Sequence, residues 1–322
     1  MKERAESHPT SPPPRWGRLR VACAFGALCL VWGMAFVVLR IGLREAPPLT
    51  FTALRAFVGG VALAACLLAN GRPLPLDRST QITAVVMGTA NVAGFWGLQS
   101  LAILRITPGE AAILVYVQPL LVALGAWLIL DERLSLLAAL GLLAGFAGVV
   151  LVIGGQALLQ PHSSWVGYLC ALGGALCWAI GTIYFKARPA AQSLLWIAAL
   201  QAIYGSLPLA MLALAVEHPR VVLTLTLFWT VAYAGFGASA LAYVLWFSLL
   251  RQHAASRVAA FVFLVPLVAV VGDSVVLGDR FGPSAVIGGA LIVLGIWLVN
   301  RQQSASMHKV RTAKFVQLND RQ

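Results

Sequence analysis

The sequence predicts an all-α integral membrane protein of ten transmembrane helices, built as two inverted five-helix repeats. Three observations carry that prediction: an extreme apolar composition, a self-similarity at a fixed offset, and a lopsided distribution of basic residues. Of the 322 residues 60% are apolar and only 11% are charged, and the mean hydropathy is +0.86. A soluble protein carries about 25% charged and about 45–50% apolar residues. At about 20 residues per span, the apolar content fills roughly nine or ten crossings and leaves no room for a large soluble domain.

The elements follow in chain order. Residues 1–19 are polar, charged and Pro-rich and read as a disordered tail. The next apolar run is too long for a signal-peptide core and lacks a small-residue cleavage site, so it reads as an uncleaved first span. Spans are predicted at 20–41, 48–69, 82–104, 109–130, 134–154, 165–186, 193–214, 228–250, 257–278 and 283–300. The long apolar strings are cut at two charged turns, Asp131-Glu132-Arg133 and Asp279-Arg280. The first repeat is therefore 20–154, the second 165–300, and 301–322 a basic tail.

Segments 111–153 lie over the chain 147 positions further on without a gap, matching Val115/Val262, Pro119/Pro266, Gly125/Gly272, Arg133/Arg280, Gly141/Gly288 and Gly148/Gly295. An offset of 146 pairs Trp32 with Trp178, Arg40 with Lys186 and Arg105 with Arg251. Five spans per copy is an odd number, so the second copy runs upside down relative to the first, the architecture of secondary transporters that rock around a midplane site. Of the 23 Lys and Arg, 17 fall in the tails and the loops after even-numbered spans, five in the opposite loops, and Arg55 inside a span. That bias puts both termini in the cytoplasm of a cell (inner) membrane. It also accounts for the pI near 10.2 without a nucleic-acid partner, which would need basic clusters on a water-facing surface.

The runs LVWGMAFVVLRIGL (30–43), PLTFTALRAF (48–57), LQSLAILRITPGEAAILVYVQPLLVALGAWLILDERLSLLAALGLLAGFAGVVLVI (98–153) and WFSLLRQHAASRVAAFVFLVPLVAVVGDSVVLGDRF (246–281) resemble the EamA-type permeases of the drug/metabolite transporter superfamily. The resemblance extends over nearly the whole chain between the tails. It implies ten helices around a central cavity and export of a small metabolite, amino acid or drug-like compound. The sequence departs from the pattern at Gly278-Asp279-Arg280, where Gly-Glu-Arg is usual, and at Asp273, inside a span that is normally apolar.

Within the spans, Pro119 and Pro266 lie near mid-depth, where each leaves the carbonyl four residues back (Val115, Val262) without its helical donor. Such backbone is tolerated beside protein or a wet cavity, which places the pathway next to spans four and nine as gating elements. Intramembrane charge is costly and needs a partner or a purpose. Arg55 lies roughly 10 Å deep and Asp273 roughly 7–8 Å deep from the same side. Three readings stand: an Arg55–Asp273 pair that breaks when the outer gate opens, Arg55 binding a substrate carboxylate or phosphate while Asp273 takes a coupling proton, or a permanent structural strut. Trp32 and Trp178 are too deep for the interfacial aromatic belt and, with Tyr116, Tyr243, Trp96 and Trp246, are candidates to line the cavity. Asn91, Gln99, Gln118 and Gln201 supply its polar contacts, Gln118 foremost, because a midplane amide needs a polar neighbour. Glu110 reads as a helix N-cap.

Gly141, Gly145 and Gly148, with Gly288 and Gly295, allow close backbone approach either between spans five and ten or between the protomers of a homodimer. The five cysteines lack metal or redox spacing and read as small core packers. No nucleophile–base set, metal cluster or cofactor motif is present, so a membrane-embedded enzyme is disfavoured. A channel would need repeated polar rings. A lipid or lipid-linked-sugar flippase stays as the alternative to a transporter whose partners are a small-molecule substrate and the bilayer.

Overall fold

The computed structural model describes residues 16–154, 164–188, 193–217, 221–278 and 282–319. Most of the predicted N-terminal tail, and Asp279 and Arg280, lie outside the described residues. The described elements are all helical: α1 (Arg18–Gly42), α2 (Pro48–Ala69), α3 (Arg78–Met87), a π-helical segment (Gly88–Trp96), α4 (Gly97–Ile103), α5 (Pro108–Val115), α6 (Gln118–Ile129) and α7 (Leu136–Ile153). The second half gives α8 (Trp165–Lys186), α9 (Leu194–Val216), α10 (Leu225–Ala232), a second π-helical segment (Tyr233–Leu241), α11 (Ala242–Gln252), α12 (Ala255–Phe261), α13 (Leu264–Leu277) and α14 (Pro283–Asn319).

Local sequence explains the starts. Pro occupies the first turn of α2 and α5, where its missing N–H costs nothing. Asp77 caps α3 through the Thr80 N–H at 2.8 Å, and Ser135 and Thr224 cap α7 and α10. Thr107 and Glu110 form a full capping box at α5, as the N-cap reading of Glu110 expects. Exposed large apolar side chains such as Leu128, Leu136, Met211 and Val275 cover the outside, a continuous apolar surface suited to lipid and not to water.

Among the described residues nine helices, counted through their kinks, are long and apolar enough to cross a membrane, not ten. The expected third span falls on the uninterrupted helical run α3–π–α4, from Arg78 to Ile103. It carries Asn91 and Gln99 and is less apolar than its neighbours for that reason. Successive helix ends define two faces. The far face holds the 43–47, 104–107 and 221–224 segments, tied by Val222 N–H donating to Glu45 O at 3.0 Å; the near face holds the 130–135 and 253–254 turns.

Both halves show the same irregularities in the same places. Each has a π-helical segment in its third helix, and each breaks its fourth at mid-depth, at 116–117 and 262–263. The break is the proline effect, with one modification: the Val262 carbonyl is not left free but accepts from Val265 N–H at 3.0 Å in a tightened turn.

The glycine question is settled within the chain. A Cβ on Gly148 would lie 2.5 Å from Gly288 O, and one on Gly288 2.5 Å from Gly148 O. Gly141 meets Gly295 in the same way, so the seven-residue glycine repeats seal α7 against α14 and give no argument for a homodimer. Of the cysteines, all free, Cys29 is buried but Cys23 and Cys66 are exposed, so those two are not core packers.

Candidate substrate cavity

A cavity of about 80 Å³ lies between the two halves, extending from mid-depth toward the far face. A buried water needs about 10–15 Å³ by that measure, so the space holds a few waters or a small solute. One wall is α1, whose Trp32, Ala35, Phe36 and Leu39 recur at i, i+3, i+4 and i+7 and so share a single helix face. The opposing wall comes from the paired breaks: Val115, Tyr116 and Gln118 on one side, Val262 and Val265 on the other. The proline kinks thus border the cavity in both halves.

The π-helical segments set the remaining walls. The first turns Phe95 and Trp96 inward, and the second exposes Ala238, whose carbonyl accepts from Trp32 Nε1 at 3.1 Å. An extra residue per turn re-aims side chains, and here it does so at the cavity in both halves. Trp178 forms the floor, packed 5.6 Å from Trp32, 5.4 Å from Trp246 and 4.8 Å from Phe95, centroid to centroid.

Arg55 stands in this wall two turns into α2. Its guanidinium lies 3.9 Å over the Trp96 ring, an attraction worth up to about 2 kcal/mol where water is excluded. The alignment is fixed one turn away by Thr52 Oγ1 and Ser100 Oγ at 3.1 Å, which zip α2 to α4. Nε of Arg55 is buried without a hydrogen-bond partner among the described residues. So is Oε1 of Gln118, on the other side of the cavity. No Asp or Glu lines the cavity, so Arg55 is its one formal charge among the described residues.

Of the residues expected at the site, Arg55, Gln99, Gln118, Tyr116, Trp32 and Trp178 reach the wall. Asn91 and Tyr243 do not. Asn91 is fully buried against Gly181, where its side chain occupies the space a Cβ would need. Tyr243 lies beneath Trp178, its hydroxyl donating to Asn91 O at 3.3 Å. Pro119 and Pro266 shape the wall without forming it. Gln201 is buried away from the cavity with both amide atoms unpartnered among the described residues.

Asp273 meets Arg40 at 3.6 Å rather than Arg55. Helical geometry explains the change of partner: Arg40 is two turns beyond Gly33 on α1, and a Cβ on Gly33 would collide with Val268, five residues before Asp273 on α13. The close approach of α1 and α13 therefore delivers the two charges to each other. Trp96 as the platform for Arg55 had no sequence signal beyond its being aromatic, whereas the α1 stripe was readable from its spacing.

The EamA-like transporter family matches residues 19–154 and again 165–301. The chain belongs to that family. Among EamA-like relatives it is 31% identical over 289 residues to YvbV of Bacillus subtilis, described as an uncharacterised transporter, spanning 89% of this chain and 94% of that one. It is 28% identical to a probable amino-acid metabolite efflux pump of Salmonella typhimurium, over 84% of this chain and 91% of that one. It is also 28% identical to a probable terminal-alkyne amino-acid exporter of Streptantibioticus cattleyicolor, over 88% and 95%. A crystal structure with 23% identity superposes with a TM-score of 0.76, covering 87% of this chain and 97% of the other, and shows the same fold. The protein is an integral membrane transporter of small molecules and not an enzyme.

Proposed function

We propose that this EamA-like transporter exports a small carboxylate-bearing metabolite by alternating access between two inverted five-helix repeats. The run Arg78–Ile103 is its tenth crossing, the near face is cytoplasmic, and both termini lie there, in the cell membrane. The carrying observation is Arg55: a guanidinium on an aromatic platform at an apolar wall, its Nε buried with no acceptor among the described residues. A guanidinium keeps its charge and presents donors in a fork that fits a carboxylate, and a charge this enclosed calls for a counter-charge. The unpartnered Oε1 of Gln118 suits a hydroxyl or ammonium on the same solute. The relatives named for amino-acid export favour that chemistry. At about 80 Å³ the cavity favours a small solute over a flipped lipid. In this reading Asp273 is the coupling group, its carboxylate released for a proton when it parts from Arg40.

Untargeted metabolomics of medium and cells, with the wild type, Arg55→Gln and Gln118→Leu forms produced at equal levels, tests the reading. Charge-assisted hydrogen bonds contribute about 1.5–3 kcal/mol, so Arg55→Gln should weaken substrate binding by about 10- to 150-fold. The expected outcome is a set of carboxylates enriched in the medium by the wild type and by neither variant. Equal export by all three forms removes this cavity from the pathway.

A further inference from the structure

We infer that Glu132 is the latch that closes the near face, a role that rests on the alternating-access reading above. It belongs to the first half, just after α6, yet its carboxylate holds the first turn of the opposite half's ninth span. Oε1 accepts from Ala255 N–H at 2.7 Å, and Oε2 accepts from Ser256 N–H at 3.2 Å and Ser256 Oγ at 2.9 Å. These N–H groups have no other cap, because Ala254 at the N-cap position has no side-chain acceptor.

The repeat shows why this end depends on its partner. At the offset of 147, Thr107 corresponds to Ala254 and Glu110 to Arg257. The first copy therefore carries a self-sufficient capping box at the far end of span four, with Tyr168 donating to Glu110 Oε1 at 2.7 Å. The second copy lacks both members, and its capping comes from across the repeat boundary. Within the second half, Lys186 steadies the same near-face turn by donating to the carbonyls of Leu250 and of His253, the latter at 2.6 Å. A cation thus covers the C-terminal end of α11 and an anion the N-terminal end of α12, each matched to its helix dipole. On the far face the counterpart of Lys186, Arg40, is half-exposed and paired with Asp273 instead.

Behind the latch, between the aromatic floor and the near face, Asn91 Oδ1 and Nδ2 and Thr182 Oγ1 are buried without hydrogen-bond partners among the described residues. Buried polar groups in that condition call for an explanation, and a pathway wetted when the near face opens supplies one. Glu217 offers an internal contrast. It caps Leu49 and Thr50 of α2 with the same geometry, at 2.7 and 2.8 Å, but on the far face and over a helix pair packed backbone to backbone, with a Gly60 Cβ 2.9 Å from Ala199 O. Glu217 therefore pins a fixed seam, and Glu132 bridges the two kinked spans that border the cavity.

The test uses full-length protein in lipid nanodiscs with two cysteine reporters, Thr182→Cys behind the latch and Leu39→Cys at the far mouth. Labelling by a small cationic methanethiosulfonate is read at each site by peptide mass, so the native cysteines do not interfere. Glu132→Gln should speed labelling at 182 by at least about tenfold and slow it at 39, with Glu217→Gln leaving the ratio of the two unchanged. Ser256→Ala, which keeps the carboxylate, should move both reporters the same way by about threefold and serves if Glu132→Gln misfolds. Labelling that rises at both sites shows a mere structural cap and overturns the latch, as does labelling that changes at neither. Neither reporter needs a substrate, so the latch can stand while the carboxylate reading fails, and the reverse.

Discussion

Replacing Gly148 by alanine places a methyl group 2.5 Å from the Gly288 carbonyl oxygen and 2.8 Å from Ile292 Cγ1. An ordinary carbon–oxygen contact is longer by about 1 Å, and the neighbour is backbone, so α7 and α14 must separate by that amount. Overpacking of this kind costs about 1–3 kcal/mol. Parting the helices also weakens the dispersion contacts along the seam, about 0.1–0.2 kcal/mol per atom pair. Against this, alanine is the better helix former by about 0.8–1 kcal/mol. The net expectation is a loss of about 1–2 kcal/mol. Gly173→Ala is the matched control: its methyl would lie 3.3 Å from the mobile end of Leu98, Cδ1, and the helix-propensity gain should win. Adding Gly288→Ala to Gly148→Ala should cost less than the sum of the singles, because the seam is already open. Equilibrium unfolding of the purified variants in mixed micelles measures all four. Stability of Gly148→Ala equal to that of Gly173→Ala would refute the reasoning, and so would a loss of self-association with monomer stability intact.

Two further outcomes are expected. Exchanging the charges at Arg40 and Asp273 should impair transport in each single variant and leave it impaired in the double variant, measured as export at matched protein levels, because the coupling carboxylate has left α13; a double variant with transport restored would mean that the pair only holds α1 to α13. His253, in the near-face turn, has its pKa lowered from 6.5 to about 4 by burial first, then by Arg257 and Lys186. A base with a depressed folded pKa contributes stability that is complete above 6.5 and lost as the pH falls toward 4. Thermal unfolding between pH 7 and pH 4 should therefore show a decline that His253→Gln flattens.

What the sequence made legible were features carried by many residues: apolar content, the repeat, and the proline breaks that recur at 119 and 266. Pairings between distant helices were much less legible. Asn91 and Tyr243 are polar groups inside spans, as Gln118 is, and no single-residue property tells which of them the packing turns toward the cavity. Asp273 and Arg55 match in depth, but depth is one coordinate, and the close approach of α1 to α13 at Gly33 sends Asp273 to Arg40 instead.

The same limit shows where a duplicated sequence becomes informative again. At two places where the copies keep a residue, the structure keeps a feature: glycine against glycine at the α7–α14 seam, and a kinked valine wall on each side of the cavity. Where they part, the two faces can hold their helix ends by different means. Thr107 and Glu110 against Ala254 and Arg257 is such a divergence, and it removes a local cap at one helix end only. A transporter with two identical halves would have equal energies for its two access states. Cross-repeat bonds that differ between the two faces are what set one state below the other, and a difference of about 1.4 kcal/mol already means a tenfold preference. In this chain the cross-repeat bonds of the near face centre on the Glu132 cap of Ala255 and Ser256, while the far face carries the Glu217 cap of Leu49 and Thr50, the Tyr168–Glu110 and Val222–Glu45 bonds and the half-exposed Arg40–Asp273 pair. The near-face lock therefore turns on one carboxylate, which is why Glu132→Gln alone is expected to move the balance between the two access states.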